Sequence, residues 1–226
     1  MIKGVIFDLD HTLFDRYATI TSTIGYFYEK LKDYMAPGLG IEDLLVNIIY
    51  ADKNHISYGW KRVAEYLNEI SFFTTPVPGE LMVETVQYAF SQDAIPFNFT
   101  YDALYKLRSK GYKVGLITNG PSDLQRKKLE LLKITDMFDE IVISGEVGTG
   151  KPDTAIFNIM TDKIGIPANQ LLYVGDNPIN DVDASRRAGY TPVWVRTYPW
   201  HCPEIEKCDL QIDDVSHIFE ILEQLK

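Results

Sequence analysis

The residues best suited to chemistry are acidic, and they follow short apolar runs. Asp8 and Asp10 stand directly after a run at 2–7, with Thr12 two residues on. Thr118, Asn119 and Gly120 follow a run at 114–117, and a glycine-rich stretch ending at Lys151 and Pro152 follows 140–143. Gly175, Asp176, Asn180 and Asp181 follow 171–174. Taken alone, each piece reads as turn or cap chemistry, since Asp, Asn, Thr and Gly favour both. Together they imply a site, because every piece falls at the same end of a different strand. Four carboxylates meeting on one sheet edge repel one another. A divalent cation relieves that repulsion, and an all-oxygen donor set suits magnesium.

The elements that must position these residues read as a parallel α/β sheet. The apolar runs, with a fifth at 192–195, are continuous rather than alternating, as in strands covered on both faces. Helical spacing at 124–132, 154–164 and 181–188, the last stopping at Gly189, supplies the crossovers. Ligands of such sheets bind beyond the carboxyl ends of the strands. Between the first two strands the pattern changes to four helical segments at 17–35, 41–51, 58–70 and 80–90. Pro37-Gly38, the polar turn at 54–57 and the run at 76–79 punctuate them. The expected fold is therefore a three-layer Rossmann-like core from residues 1–14 and 97–226. A helical cap at 15–96 is inserted after the first strand.

Composition excludes several classes. The chain has 226 residues, 46% hydrophobic and 24% charged, with a net charge of -10, which argues against nucleic acid as partner. No run suits a membrane span and no secretory pattern opens the chain, so a cytoplasmic place is expected. Cys202 and Cys208 are too few for a disulfide framework, and with His201 and His217 they match no zinc spacing. Asn98 formally opens a glycosylation triplet, which means little without a secretory signal. Gly145 to Lys151 reads G-x-x-x-x-G-K, but Pro152 stands where a nucleotide-binding loop needs Ser or Thr.

The set Asp8-Leu9-Asp10-His11-Thr12, Thr118-Asn119, Lys151-Pro152 and Gly175-Asp176 with Asn180-Asp181 resembles the four motifs of the haloacid dehalogenase superfamily, over essentially the whole chain. The helical insertion resembles its type 1 cap. The resemblance implies a phosphoric monoester hydrolase with Asp8 as nucleophile and Asp10 as acid and base. It places magnesium on Asp8, the Asp10 backbone carbonyl and Asp176, with Asp181 and Thr12 as supports. Thr118, Asn119 and Lys151 would hold the phosphoryl group. Asp10 separates phosphatases from dehalogenases and phosphonate hydrolases, which resemble this chain but carry no aspartate there. A sugar phosphomutase keeps it and stays open, as does a non-catalytic phosphate-binding protein. The stretch 117–120 with Gln125 and Lys128 resembles the nucleotidase and small-phosphate phosphatase branches. The expected partner is a small phosphorylated metabolite, a nucleoside monophosphate or a sugar or short-chain phosphate, bound by a monomer or homodimer. The aromatics of the cap, among them Tyr26, Phe27, Tyr50, Tyr58, Trp60, Phe72 and Tyr88, read mostly as core, with a stacking role open near 50–60. Residues 198–201 read as a packing loop or dimer contact.

Overall fold

The computed structural model describes residues 1–55, 59–197 and 208–226. The expectations for Tyr58, His201, Cys202 and 198–201 lie outside the described residues. The chain divides into two compact units, one of residues 1–15 with 96–226 and one of 16–95.

The first unit opens with β1 (Gly4–Phe7), fully buried as its unbroken apolar pattern requires. The second unit follows with helices α1 (Arg16–Leu31), α2 (Ile41–His55), α3 (Trp60–Glu69) and α4 (Gly79–Gln92). The first unit then resumes with α5 (Thr100–Ser109), β2 (Lys113–Thr118), α6 (Ser122–Leu131), β3 (Glu140–Ile143), the single turn α7 (Ser144–Val147) and α8 (Thr154–Ile164). After β4 (Leu171–Gly175) come a π-helical turn (Pro178–Asp183), α9 (Ala184–Arg187), β5 (Thr191–Val195), β6 (Gln211–Ile212) and α10 (Ile218–Gln224). Among the described residues the strands form one parallel six-stranded sheet in the order β3-β2-β1-β4-β5-β6. The α/β, Rossmann-like architecture expected from the sequence is what the chain adopts.

Register aligns the site. Phe7 pairs with both Leu116 and Val174, so the register puts Asp8 level with Ile117 of β2 and with Gly175, the last residue of β4. Its backbone N–H continues the ladder to the Val174 carbonyl at 2.9 Å. On one sheet face Ile6, Ile117, Val142 and Tyr173 bury against Ile156, Phe157 and Met160 of α8. That helix begins at Asp153, whose side chain accepts from the Ala155 N–H, and ends at Gly165 with φ 68°.

The expected helix at 181–188 needs correction. The chain winds as a π turn through Pro178–Asp183 and only then as α9, ending before Gly189, whose φ is 86°. The cause is local. The Asn177 side chain accepts from the Ile179 and Asn180 N–H groups, while the Asn177 N–H donates to Asp181 Oδ2 at 2.9 Å. The wider turn leaves the Asp181 side chain against Gly175 of β4, and π turns are frequent at functional sites. The expected helix at 17–35 ends as α at Leu31 and finishes in a 3₁₀ turn, Lys32–Tyr34. Helices α5 and α10 and strand β6 were not expected.

The helical unit packs α1 on α2 and α4, and α3 on α2 and α4. Its core holds Ile20, Phe27, Leu31, Leu44, Ile48, Val63, Leu67, Met82, Val86 and Phe90, while Tyr26, Tyr50 and Tyr88 are exposed. The Arg16 guanidinium stacks on the Trp60 ring, 5.0 Å from its centroid, and its Nε lies 3.5 Å from buried Asp52.

Candidate active site

Asp8 leaves β1 into a tight loop in which the Leu9 carbonyl accepts from the backbone N–H groups of Leu13 and Phe14, each at 2.9 Å. His11 adopts φ 59° inside it. This winding keeps Asp8 and Asp10 on one side of the strand end. Asp8 is buried, and its Oδ1 accepts from Lys151 Nζ at 2.5 Å. The same ammonium donates to Asp181 Oδ1 at 2.7 Å and to the Tyr173 hydroxyl at 3.0 Å. Tyr173 in turn lies 3.2 Å from Asp181 Oδ1 and 3.3 Å from the Ile117 carbonyl. Thr12 is fully buried with its hydroxyl 3.5 Å from Asp8 Oδ2.

Asn119, at the end of β2, clasps the backbone of Lys151. Its Nδ2 donates to the Lys151 carbonyl at 2.8 Å, and its Oδ1 accepts from the Lys151 N–H at 2.9 Å. The ammonium is thus placed from its own backbone outward. Thr118 is buried and receives a short hydrogen bond from Gln125 Nε2. Asp176, after β4, is buried, and its carbonyl accepts from Trp194 Nε1 of β5 at 2.8 Å. Glycine at 175 is a steric requirement: a Cβ there would lie 2.5 Å from Asp181 Cγ.

Carboxylate oxygens of Asp8, Asp176 and Asp181 lie within 4.8 Å of one another. Among the described residues, these three buried carboxylates gather around the Lys151 ammonium. The Asp8 carboxyl is raised to about 7: burial raises it most, Lys151 pulls it down, and Asp181 and Asp10 push it up. For Lys151, burial works against the charge, but Asp181 and Asp8 outweigh it and hold the ammonium well above its ordinary value. Hard, negatively charged oxygen donors brought this close fit a divalent cation. Of the three, Asp181 already has both oxygens engaged, by Lys151 and Tyr173 on one and by the Asn177 N–H on the other.

The sequence-predicted residues therefore converge, with Asp8, Lys151, Asp176 and Asp181 in one cluster and Thr12 and Asn119 against it. Asp10 stands beside them, its carboxylate bound by Lys128 and Gln125. Tyr173 was not expected. Its only signal was a phenol inside an otherwise apolar buried strand, where a hydroxyl needs a partner.

The comparisons with known proteins point to one family. The phosphoserine phosphatase of Thermus thermophilus is 39% identical over 117 residues, 51% of this chain and 47% of that protein, so the match spans about half of that relative. A glyceraldehyde 3-phosphate phosphatase of Methanothermobacter thermautotrophicus is 30% identical over 243 residues, covering 98% of this chain and all 100% of the relative. The crystal structure of the HAD-hydrolase YfnB from Bacillus subtilis, described as bound to magnesium, matches 98% of both chains with a TM-score of 0.77 at 20% identity, a likeness of fold. A family model described as haloacid dehalogenase-like hydrolase matches residues 5–195, from β1 through β5. With its motifs, sheet and full-length relative in agreement, the chain belongs to the haloacid dehalogenase-like hydrolases.

Proposed function

We propose that the chain is a magnesium-dependent phosphate monoester hydrolase acting on a small phosphorylated metabolite through an aspartyl-phosphate on Asp8. The observation that carries this reading is the buried Asp8 carboxylate, 2.5 Å from Lys151 and clustered with two further carboxylates at the strand ends. The full-length relative, named as a glyceraldehyde 3-phosphate phosphatase, favours a short-chain sugar phosphate over a nucleotide. Such a diffusible substrate suits an enzyme of the cytoplasm. The helical unit 16–95 is, on this reading, the cap that selects the part of the substrate beyond its phosphate.

The chemistry divides one displacement into two easier steps. An Asp8 carboxylate oxygen bonds to phosphorus while the bond from phosphorus to the ester oxygen breaks. Asp10 gives its proton to that departing oxygen, releasing the alcohol. Asp10 then takes a proton from water as the water oxygen bonds to phosphorus, and phosphate leaves with Asp8 restored. Lys151 stabilises negative charge on Asp8 and on the transferring group throughout. Asp181, with both oxygens committed, orients Lys151. Thr118 and the Asn119 N–H hold phosphoryl oxygens. Asp8, Asp176 and the Asp10 carbonyl are the groups that would hold magnesium, which when bound offsets phosphoryl charge.

The direct test is Asp8→Asn, assayed with magnesium on p-nitrophenyl phosphate and on glyceraldehyde 3-phosphate. Turnover should vanish on both. Retained hydrolysis would show that Asp8 is not the nucleophile.

A further inference from the structure

Helix α6 carries two buried polar side chains that the reaction above does not use, Gln125 and Lys128. Three residues apart, they share a helix face. Lys128 Nζ donates to both carboxylate oxygens of Asp10, at 2.9 and 3.0 Å. It also sits 4.8 Å from the centroid of the Phe14 ring, against the loop that carries Asp10. Gln125 Nε2 donates to Asp10 Oδ2 at 3.3 Å and to the Thr118 hydroxyl. The Lys128 side chain keeps only 4% of its exposure, and the Asp10 side chain 23%. Burying an ammonium is costly unless it is paired, so this pairing is specified rather than incidental.

We infer that Lys128 is a positioning residue for Asp10, with Gln125 linking the Asp10 rotamer to Thr118. The inference rests on Asp10 being the acid that protonates the leaving oxygen. A carboxyl on a two-torsion side chain helps only when held within reach of that oxygen, and misplacement by about 1 Å costs on the order of 100-fold. Two donors from one helix face restrain both torsions. When Asp10 carries its proton on one oxygen, the other still accepts from Lys128. In the first step the proton moves from Asp10 to the ester oxygen as the bond from phosphorus breaks, and Lys128 neither gives nor takes one. Because Gln125 touches Asp10 and Thr118 together, the acid is placed relative to the group that holds the phosphoryl oxygens.

The test exploits the leaving group. An alkoxide leaves only with a proton, whereas p-nitrophenolate leaves without one. Comparing kcat/KM confines the measurement to steps up to departure of the alcohol, so later hydrolysis of the aspartyl-phosphate does not mix in. For Lys128→Met, kcat/KM on glyceraldehyde 3-phosphate should fall about 30- to 100-fold, and on p-nitrophenyl phosphate about two- to fivefold. Lys128→Arg, which restores a donor, should recover most of the loss. Lys128→Gln gives the same comparison in a polar background should the methionine variant not fold. Equal losses on both substrates, or none on either, overturn the inference. Asp10→Asn run in parallel separates the two readings. If it too loses both substrates equally, Asp10 is not the acid and the Lys128 role falls with it. If it is selective and the Lys128 variants are not, only the role of Lys128 falls.

Discussion

Lys151→Met removes an ammonium that bonds two members of the carboxylate cluster, while keeping the side-chain volume. The lysine has 3% of its side chain exposed and lies 2.5 Å from Asp8 and 2.7 Å from Asp181. At an effective dielectric constant of about 20, each contact corresponds to roughly 6–7 kcal/mol of gross Coulomb attraction. Most of that is offset by the cost of dehydrating three charges. What remains after one partner of a buried pair is deleted is typically about 3–5 kcal/mol. Here two carboxylates and the Tyr173 hydroxyl each lose a donor, which places the expected cost toward the upper end. For a chain of this size each kcal/mol moves Tm by about 2–4 °C, so the variant should melt roughly 8–20 °C below wild type. The measurement is thermal unfolding at pH 7.5 with a chelator present, so that no bound cation substitutes for the ammonium. Phosphatase activity of the variant should be lost as well. A variant melting within about 2 °C of wild type would refute the argument, because those carboxylates would then not need Lys151.

Tyr173→Phe should lower stability by about 1–3 kcal/mol, read by urea unfolding, because it strips a buried hydroxyl from Lys151, Asp181 and the Ile117 carbonyl. Gly175→Ala should cost about 1–3 kcal/mol and most of the activity, since Asp181 cannot retreat from a Cβ 2.5 Å from its Cγ without releasing Lys151. The control Gly25→Ala, where a Cβ meets nothing within 4 Å, should be stable and active. Burial raises the Asp139 carboxyl, but hydrogen bonds from Lys113 and the Val114 N–H outweigh it and hold the group below its ordinary value of 3.8. A depressed carboxyl contributes stability that is full above the unfolded value and fades as pH falls through the folded one. The stability gap between wild type and Asp139→Asn should therefore be constant near neutrality and close below about pH 4, as followed by urea midpoints across pH. A gap that widened in acid would contradict this.

What the sequence made legible follows from how locally each feature is encoded. Helix α8 runs from 154 to 164, as its spacing predicts, because Asp153 caps one end and Gly165 turns the other. The acidic residues were legible because a parallel sheet sends every strand's carboxyl end to one edge, so their order along the chain already implied a shared place. Helix α5 hid because Tyr101 and Tyr105 are exposed aromatics that blur its apolar stripe, and β6, at two residues, has no periodicity to read. The harder residues are those whose meaning depends on what lies opposite. Lys128 was legible only as part of a stretch resembling some phosphatase branches; that it is buried, with Asp10 meeting it from a loop 118 residues away in sequence, was not. Tyr173 reads as one more large strand residue, yet its hydroxyl supports a lysine 22 residues back. Both act on the acidic cluster by setting where a charge sits, and neither belongs to the four motifs. In a site where three carboxylates crowd within 4.8 Å, placement of the donors decides how each carboxylate is held. Spacing along the chain can mark the carboxylates, but the donors that sort them become visible only when the strands and α6 are laid side by side.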